Sequence, residues 1–307
     1  MTWFLIALIG PILWAIVNHI DKYLLSDRFE GNNVGALMIF STLQCGLVLP
    51  ILYLFNHDIF AVSLSNILLL VVIGIISVFA IMPYMYALDE EEASIVIPLF
   101  QLIPIWGFVF SYFLIGETLT VFQLIGCLLI IAGSIIITLE FDEEEKIKFK
   151  KKTILLMLLS TVLFAFYETL FKYVAVDVGF VVSSFWEYLG VFLMGVIFYL
   201  FVKKYKESFK HLLKTSGGKI ISLNILSESF TIIGNAAVNF ALIIAPVALT
   251  LTVSGIQPLF VFLIGIFLTI FFPNISKEKM SKKHLIQKVV SILVIIIGGI
   301  FIGGGIN

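Results

Sequence analysis

Ten stretches of nearly continuous apolar sequence, most of them about 20 residues long, restrict what this chain can fold in to a lipid bilayer. They fall at 3–25, 33–55, 66–88, 93–115, 120–139, 153–175, 181–202, 219–243, 246–272 and 284–304. No water reaches the bilayer core to satisfy backbone N–H and C=O groups, so only helices or closed barrels can span it. Barrel strands alternate apolar and polar residues, and these runs do not. With 61% hydrophobic and 13% charged residues, no soluble core could hide the apolar share. The expected class is an all-α polytopic membrane protein of ten transmembrane helices.

The breaks between the runs are short and polar. They include Asn56-His57-Asp58, the acidic Asp89-Glu90-Glu91-Glu92, the Gly116-Glu117-Thr118-Leu119-Thr120 turn and the bare Ala245-Pro246 step. The stretch from Lys203 to Lys219 reads as a loop too short to fold alone. No basic segment or A-x-A site marks the first run as a signal peptide, so it reads as a retained helix.

The two halves resemble each other. Trp14-Ala15, Asn18 and Lys22-Tyr23 line up with Phe164-Ala165, Glu168 and Lys172-Tyr173. Tyr86-Ala87-Leu88 matches Phe240-Ala241-Leu242, and Leu102-Ile103-Pro104 matches Ile256-Gln257-Pro258. An odd number of spans per half turns the second copy upside down. The expected organisation is therefore two inverted five-helix repeats, 1–140 and 153–307, joined by a charged linker at 141–152. Secondary transporters use inverted repeats to expose a midplane site to alternate sides.

Basic residues set the expected orientation. Of 19 Lys and Arg, Lys22 and Lys172 lie within spans, and the rest fall in or beside the first, fifth, seventh and ninth loops. The Lys-rich loops are accordingly placed in the cytoplasm and both termini outside.

Several of these residues form a recognisable series: Ala93-Ser94, Pro104-Ile105, Gly116-Glu117-Thr118-Leu119-Thr120, Gln123, Gly126 and Ala132-Gly133, with Trp14-Ala15, Asn18 and Lys22 in the opening helix. In these the chain resembles the drug/metabolite transporter superfamily, in particular its EamA-type ten-helix permeases. The match is better in the first half. In the second, Phe271-Phe272-Pro273-Asn274 stands where the Gly-Glu turn is expected. The resemblance implies a transporter of small metabolites in the plasma membrane. It also implies termini inside, opposite to the charge reading.

A charge at the centre of a membrane helix costs about 2.5–3.5 kcal/mol on insertion scales, so each polar group within a span calls for a reason. Glu228, Asn235 and Asn239, at i, i+7 and i+11, share one helix face and are candidate substrate contacts, as are Trp14, Asn18 and Tyr84. Glu228 is also the candidate for proton coupling; the alternative is a hydrogen-bonded structural carboxylate beside Ser227 and Ser229. Glu168 and Lys172, spaced i, i+4, with Glu187 following Trp186, read either as an ion pair with snorkelling or as an outer gate or binding patch for a zwitterionic or charged solute. The repeat-matched Pro104 and Pro258 are hinge candidates. Glu117 reads as a group that caps or pairs at a helix end, and Thr120 with Gln123 as a capping box. Gly299 and Gly303 suggest close packing or a homodimer face. Cys45 and Cys127 read as packing residues.

Enzyme signatures such as H-E-x-x-H, G-x-S-x-G and the P-loop do not occur in the sequence. Neither a catalytic residue, a metal, a cofactor nor a nucleic-acid partner is expected. The expected function is secondary transport, as exporter or exchanger, of a small organic solute by alternating access, with proton coupling through Glu228. The alternatives are a lipid or lipid-linked sugar translocase and a non-transporting membrane sensor or assembly protein.

Overall fold

The computed structural model describes residues 2–28, 34–90, 96–138, 151–215, 218–271 and 282–304. The described residues are almost wholly helical, with no strand among them. Most of the linker at 141–152 and the Glu91-Glu92 end of the acidic run lie outside the described residues.

In chain order the first half comprises α1 (Thr2–Arg28), α2 (Val34–Gln44), α3 (Val48–Phe55), α4 (Leu64–Glu90), α5 (Ile103–Ile115) and α6 (Val121–Thr138). The second comprises α7 (Lys151–Val178), α8 (Phe180–Phe201), α9 (Lys203–Thr215), α10 (Gly218–Ile244), α11 (Val247–Ser254), α12 (Gln257–Phe271) and α13 (Lys282–Gly304). Eight segments are long and apolar enough to cross a membrane, and Val121–Ile137 and Ile286–Ile302 are shorter apolar helices. These ten coincide with the ten apolar runs. Leucines, isoleucines and phenylalanines such as Leu54, Phe113, Phe201 and Ile300 point outward, as side chains facing lipid do.

Besides the 3-10 turn Cys45–Leu47 between α2 and α3, two spans are broken at matching places. A 3-10 turn, Ile97–Leu102, precedes α5, and the Gly255-Ile256 turn separates α11 from α12. Pro104 and Pro258 each fall in the first turn of the helix after the break. There a missing N–H costs no hydrogen bond. The breaks touch, since Gln101 donates through Nε2 to the carbonyl of Gly255 at 3.1 Å.

Packing exchanges the halves. α1 lies along α10 and α4 along α7, while α2 meets α8, α5 meets α11 and α6 meets α13. Matching α1 with α7 and α4 with α10 turns the first of these pairs into the second. Glycines bring the closest helices together. A methyl group on Gly74 would sit 2.1 Å from the Glu187 carbonyl oxygen, and one on Gly190 2.2 Å from that of Val71. Gly126 and Gly298 are related in the same reciprocal way across α6 and α13, each 2.8 Å from the other's carbonyl. It is thus Gly298 that seats α13 against the bundle. The neighbouring Gly299 would meet only the Phe4 ring, at 3.8 Å, and the surroundings of Gly303 lie outside the described residues.

The Lys203-to-Lys219 stretch is not a loop. Its first thirteen residues form α9, which lies against α2 and α8. Tyr205 and Leu212 are buried, Phe209 packs beside them, and the lysines at 203, 204 and 210 face outward. Gly35 of α2 provides the slot for the Tyr205 ring. The Tyr205 hydroxyl meets that of Tyr86. Burial first, and that hydrogen bond second, push the Tyr205 phenol above the usual tyrosine range.

Candidate functional site

The polar face of α10 is turned toward the other helices, and each of its three members meets a different one. Glu228 accepts a hydrogen bond from Ser41 of α2. Asn235 accepts one through Oδ1 from Trp14 Nε1 of α1, at 3.1 Å. Asn239 donates through Nδ2 to Glu187 Oε2 of α8, at 2.9 Å. At 1.5 Å of rise per residue, this polar line runs about 16 Å along α10, roughly half the thickness of a bilayer's hydrocarbon core. Gln44 and Tyr188 add further links, to the carbonyls of Ile225 and Ile232 on the same helix.

Glu187 and Glu168 are both buried and lie within electrostatic reach of each other. Glu168 accepts a hydrogen bond from the Tyr167 hydroxyl on Oε1, at 3.3 Å, while its Oε2 is buried without a partner. Phe171, Val182 and Trp186 belong to the same apolar cluster as Tyr167, so the two carboxylates sit in poorly polarisable surroundings.

The expected Glu168–Lys172 pair does not form. Lys172 is buried, lies 2.5 Å from Glu117 Oε1 and donates to the Ala245 carbonyl at 2.6 Å. The i, i+4 spacing made Glu168 the apparent partner, but the fold brings the α5–α6 turn to Lys172 instead. Nor does Lys172 snorkel to an interface. Glu117 uses its second oxygen to accept the backbone N–H of Val247 at 2.8 Å, capping α11. It is therefore a helix-end cap and an ion-pair partner together. Beside it, Thr120 and Gln123 exchange the two hydrogen bonds of a capping box, at 2.9 and 3.2 Å.

The other candidates are more dispersed. Asn18 is half-buried on α1, one turn beyond Trp14. Tyr84 packs against Phe100 of the 3-10 turn, with ring centroids 4.6 Å apart and planes tilted by 52°. His19 donates to the Val261 carbonyl at 2.9 Å, tying α1 to α12. Tyr188 and Ser41 join the site without having been singled out in the sequence. A tyrosine or serine within an apolar run gives no sign of its partner.

A family model described as the EamA-like transporter family matches residues 1–139. Over that stretch, somewhat less than half of the chain, the sequence is similar to the EamA-like transporter family. That family is described as one of transporters, and the eight long apolar helices make this chain a multi-pass membrane protein. No match was found among curated proteins. Among solved structures, one crystal structure superimposes with a TM-score of 0.72 at 14% identity, over 98% of this chain and 96% of that one. At that identity the likeness shows the fold alone, but it extends over both halves.

Proposed function

We propose that this EamA-like chain is a secondary transporter that moves a small organic metabolite by alternating access, as an exporter or exchanger. In this reading 1–140 and 153–307 are inverted repeats that rock about one another. The linker at 141–152 and the other Lys-rich loops lie in the cytoplasm, and the termini face outward from the plasma membrane. The observation that carries the reading is the convergence of Trp14, Glu187, Asn235 and Asn239 from three helices, within apolar spans, around the polar face of α10. The paired breaks at Gln101 and Gly255 support it, because discontinuous helices recur where transporters hold solutes. Glu228, beside Ser41, is the coupling candidate, and Pro104 and Pro258 are the hinges.

One observation favours a second reading. The polar groups of α10 pair off helix to helix, as they would in a rigid sensor or assembly protein.

Reconstitution in liposomes with an internal pH dye separates the two. Pools of amino acids, nucleosides, polyamines and sugars are added outside. A pool that drives proton flux in the native chain, lost in Glu228→Gln, supports coupled transport. Unchanged pH dependence in Glu228→Gln removes Glu228 from the coupling. No flux of any kind, traced also with labelled solutes and lipids, leaves the rigid reading.

A further inference from the structure

The charge balance within the spans points to a class of ligand. Among the described residues Lys172 is the one buried cation, and it is spent on Glu117 and the Ala245 carbonyl. Glu168 and Glu187 are left facing one another's field with no cation beside them. A carboxylate offers about four acceptor positions. Glu187 receives one N–H, from Asn239, and Glu168 one O–H, from Tyr167. Glu168 Oε2, on a side chain only 8% exposed, receives none. A buried carboxyl group in apolar surroundings takes up a proton unless a counter-charge or donors accompany it, so an ammonium ion would be the partner that holds it ionised.

We propose that Glu168 and Glu187 form a binding site for an organic ammonium ion. An ammonium group brings three N–H donors and one positive charge, which complements two under-supplied carboxylates. Tyr167 lies near both carboxylates and Tyr188 near Glu187, and aromatic rings of this kind also attract cations. Divalent metals are a poorer match. Calcium and magnesium take six or more oxygen ligands and zinc about four ligands, mostly N and S, and among the described residues no three His, Cys, Asp or Glu side chains stand together as a metal site. Cys45, within reach of Glu187 and of Glu228, is not a cation at neutral pH either. Assigning this ligand as the transported substrate rests on the transport reading above; the binding site itself does not.

The test uses the purified full chain in detergent, with n-propylammonium, propionate and 1-propanol as matched probes at neutral pH and constant ionic strength. Propylammonium is expected to raise the unfolding temperature saturably, and the other two are not. Glu168→Gln and Glu187→Gln keep the shape of each side chain and its acceptor oxygen. Each is expected to raise the half-saturating concentration by about tenfold or more. An absent or non-saturating response overturns the proposal, as does an equal response to propionate or propanol. An unchanged response in both variants does so too. Should a variant fail to fold, the three probes on the native chain still decide. Uptake of labelled propylammonium into liposomes separates this proposal from transport. Binding without uptake keeps the site and removes transport. Uptake of another solute without propylammonium binding keeps transport and removes the site.

Discussion

Lys172 reaches Glu117 and the Ala245 carbonyl at once, so a single buried ammonium fastens the α5–α6 turn and the α10–α11 turn to α7. Glu117 closes the triangle by capping α11 at Val247. Three elements from both halves meet at this point. A buried pair of this kind is costly to break from one side, because the remaining charge is left without its counter-ion.

Lys172→Met is therefore expected to cost about 3–5 kcal/mol in unfolding free energy, measured in mixed micelles. In a Glu117→Gln background the same substitution should cost much less, since no carboxylate is then stranded. Equal costs in the two backgrounds would show that the contact contributes nothing.

The α4–α8 contact depends on the absence of side chains. Gly190→Ala places a methyl group 2.2 Å from the Val71 carbonyl, against backbone that has no freedom to move aside. Overpacking of this kind costs about 1–3 kcal/mol. Gly218→Ala, with nothing within 4 Å, is the control and should be neutral. The same unfolding titration reads both. Similar stability in the two variants would mean that the helices are not in contact there.

Tyr205 should determine whether α9 stays docked. Gly35→Ala drives a methyl group into its ring, 2.2 Å from Cδ1, and is expected to lift α9. Trypsin would then cut faster after the lysines between 203 and 214. Tyr205→Phe keeps the ring and loses only the hydrogen bond to Tyr86, at about 1 kcal/mol, so its cleavage should change little. Equal cleavage in Gly35→Ala and the native chain would show that α9 is held by something other than that slot.

Orientation can be read with a cysteine on the same helix. Lys210 is exposed, while Cys45 and Cys127 are buried and should not react. In right-side-out vesicles, Lys210→Cys is expected to resist an impermeant maleimide until the membrane is opened. Labelling from outside would reverse the proposed topology.

The sequence reveals the spans because lipid demands long apolar runs, and the polar face of α10 because helical periodicity groups Glu228, Asn235 and Asn239. It does not reveal which helices supply Ser41, Trp14 and Glu187 to that face. Such pairings are long-range and leave no spacing to read. Lys172 shows the same limit more sharply, since a local partner at i−4 was available in sequence and the fold used Glu117. α9 was hidden for another reason. Its Tyr205, Phe209 and Leu212 keep helical spacing, but the surrounding lysines make the stretch read as loop. Pro104 and Pro258 were legible as matched positions, and their placement in the first turn after a break is what the structure adds.

Because Gln101 bonds to Gly255, the two interruptions in the chain share one hydrogen bond. Bending either interrupted span strains the same contact. At this contact two interruptions act as one linkage, and neither half can flex there without loading the other.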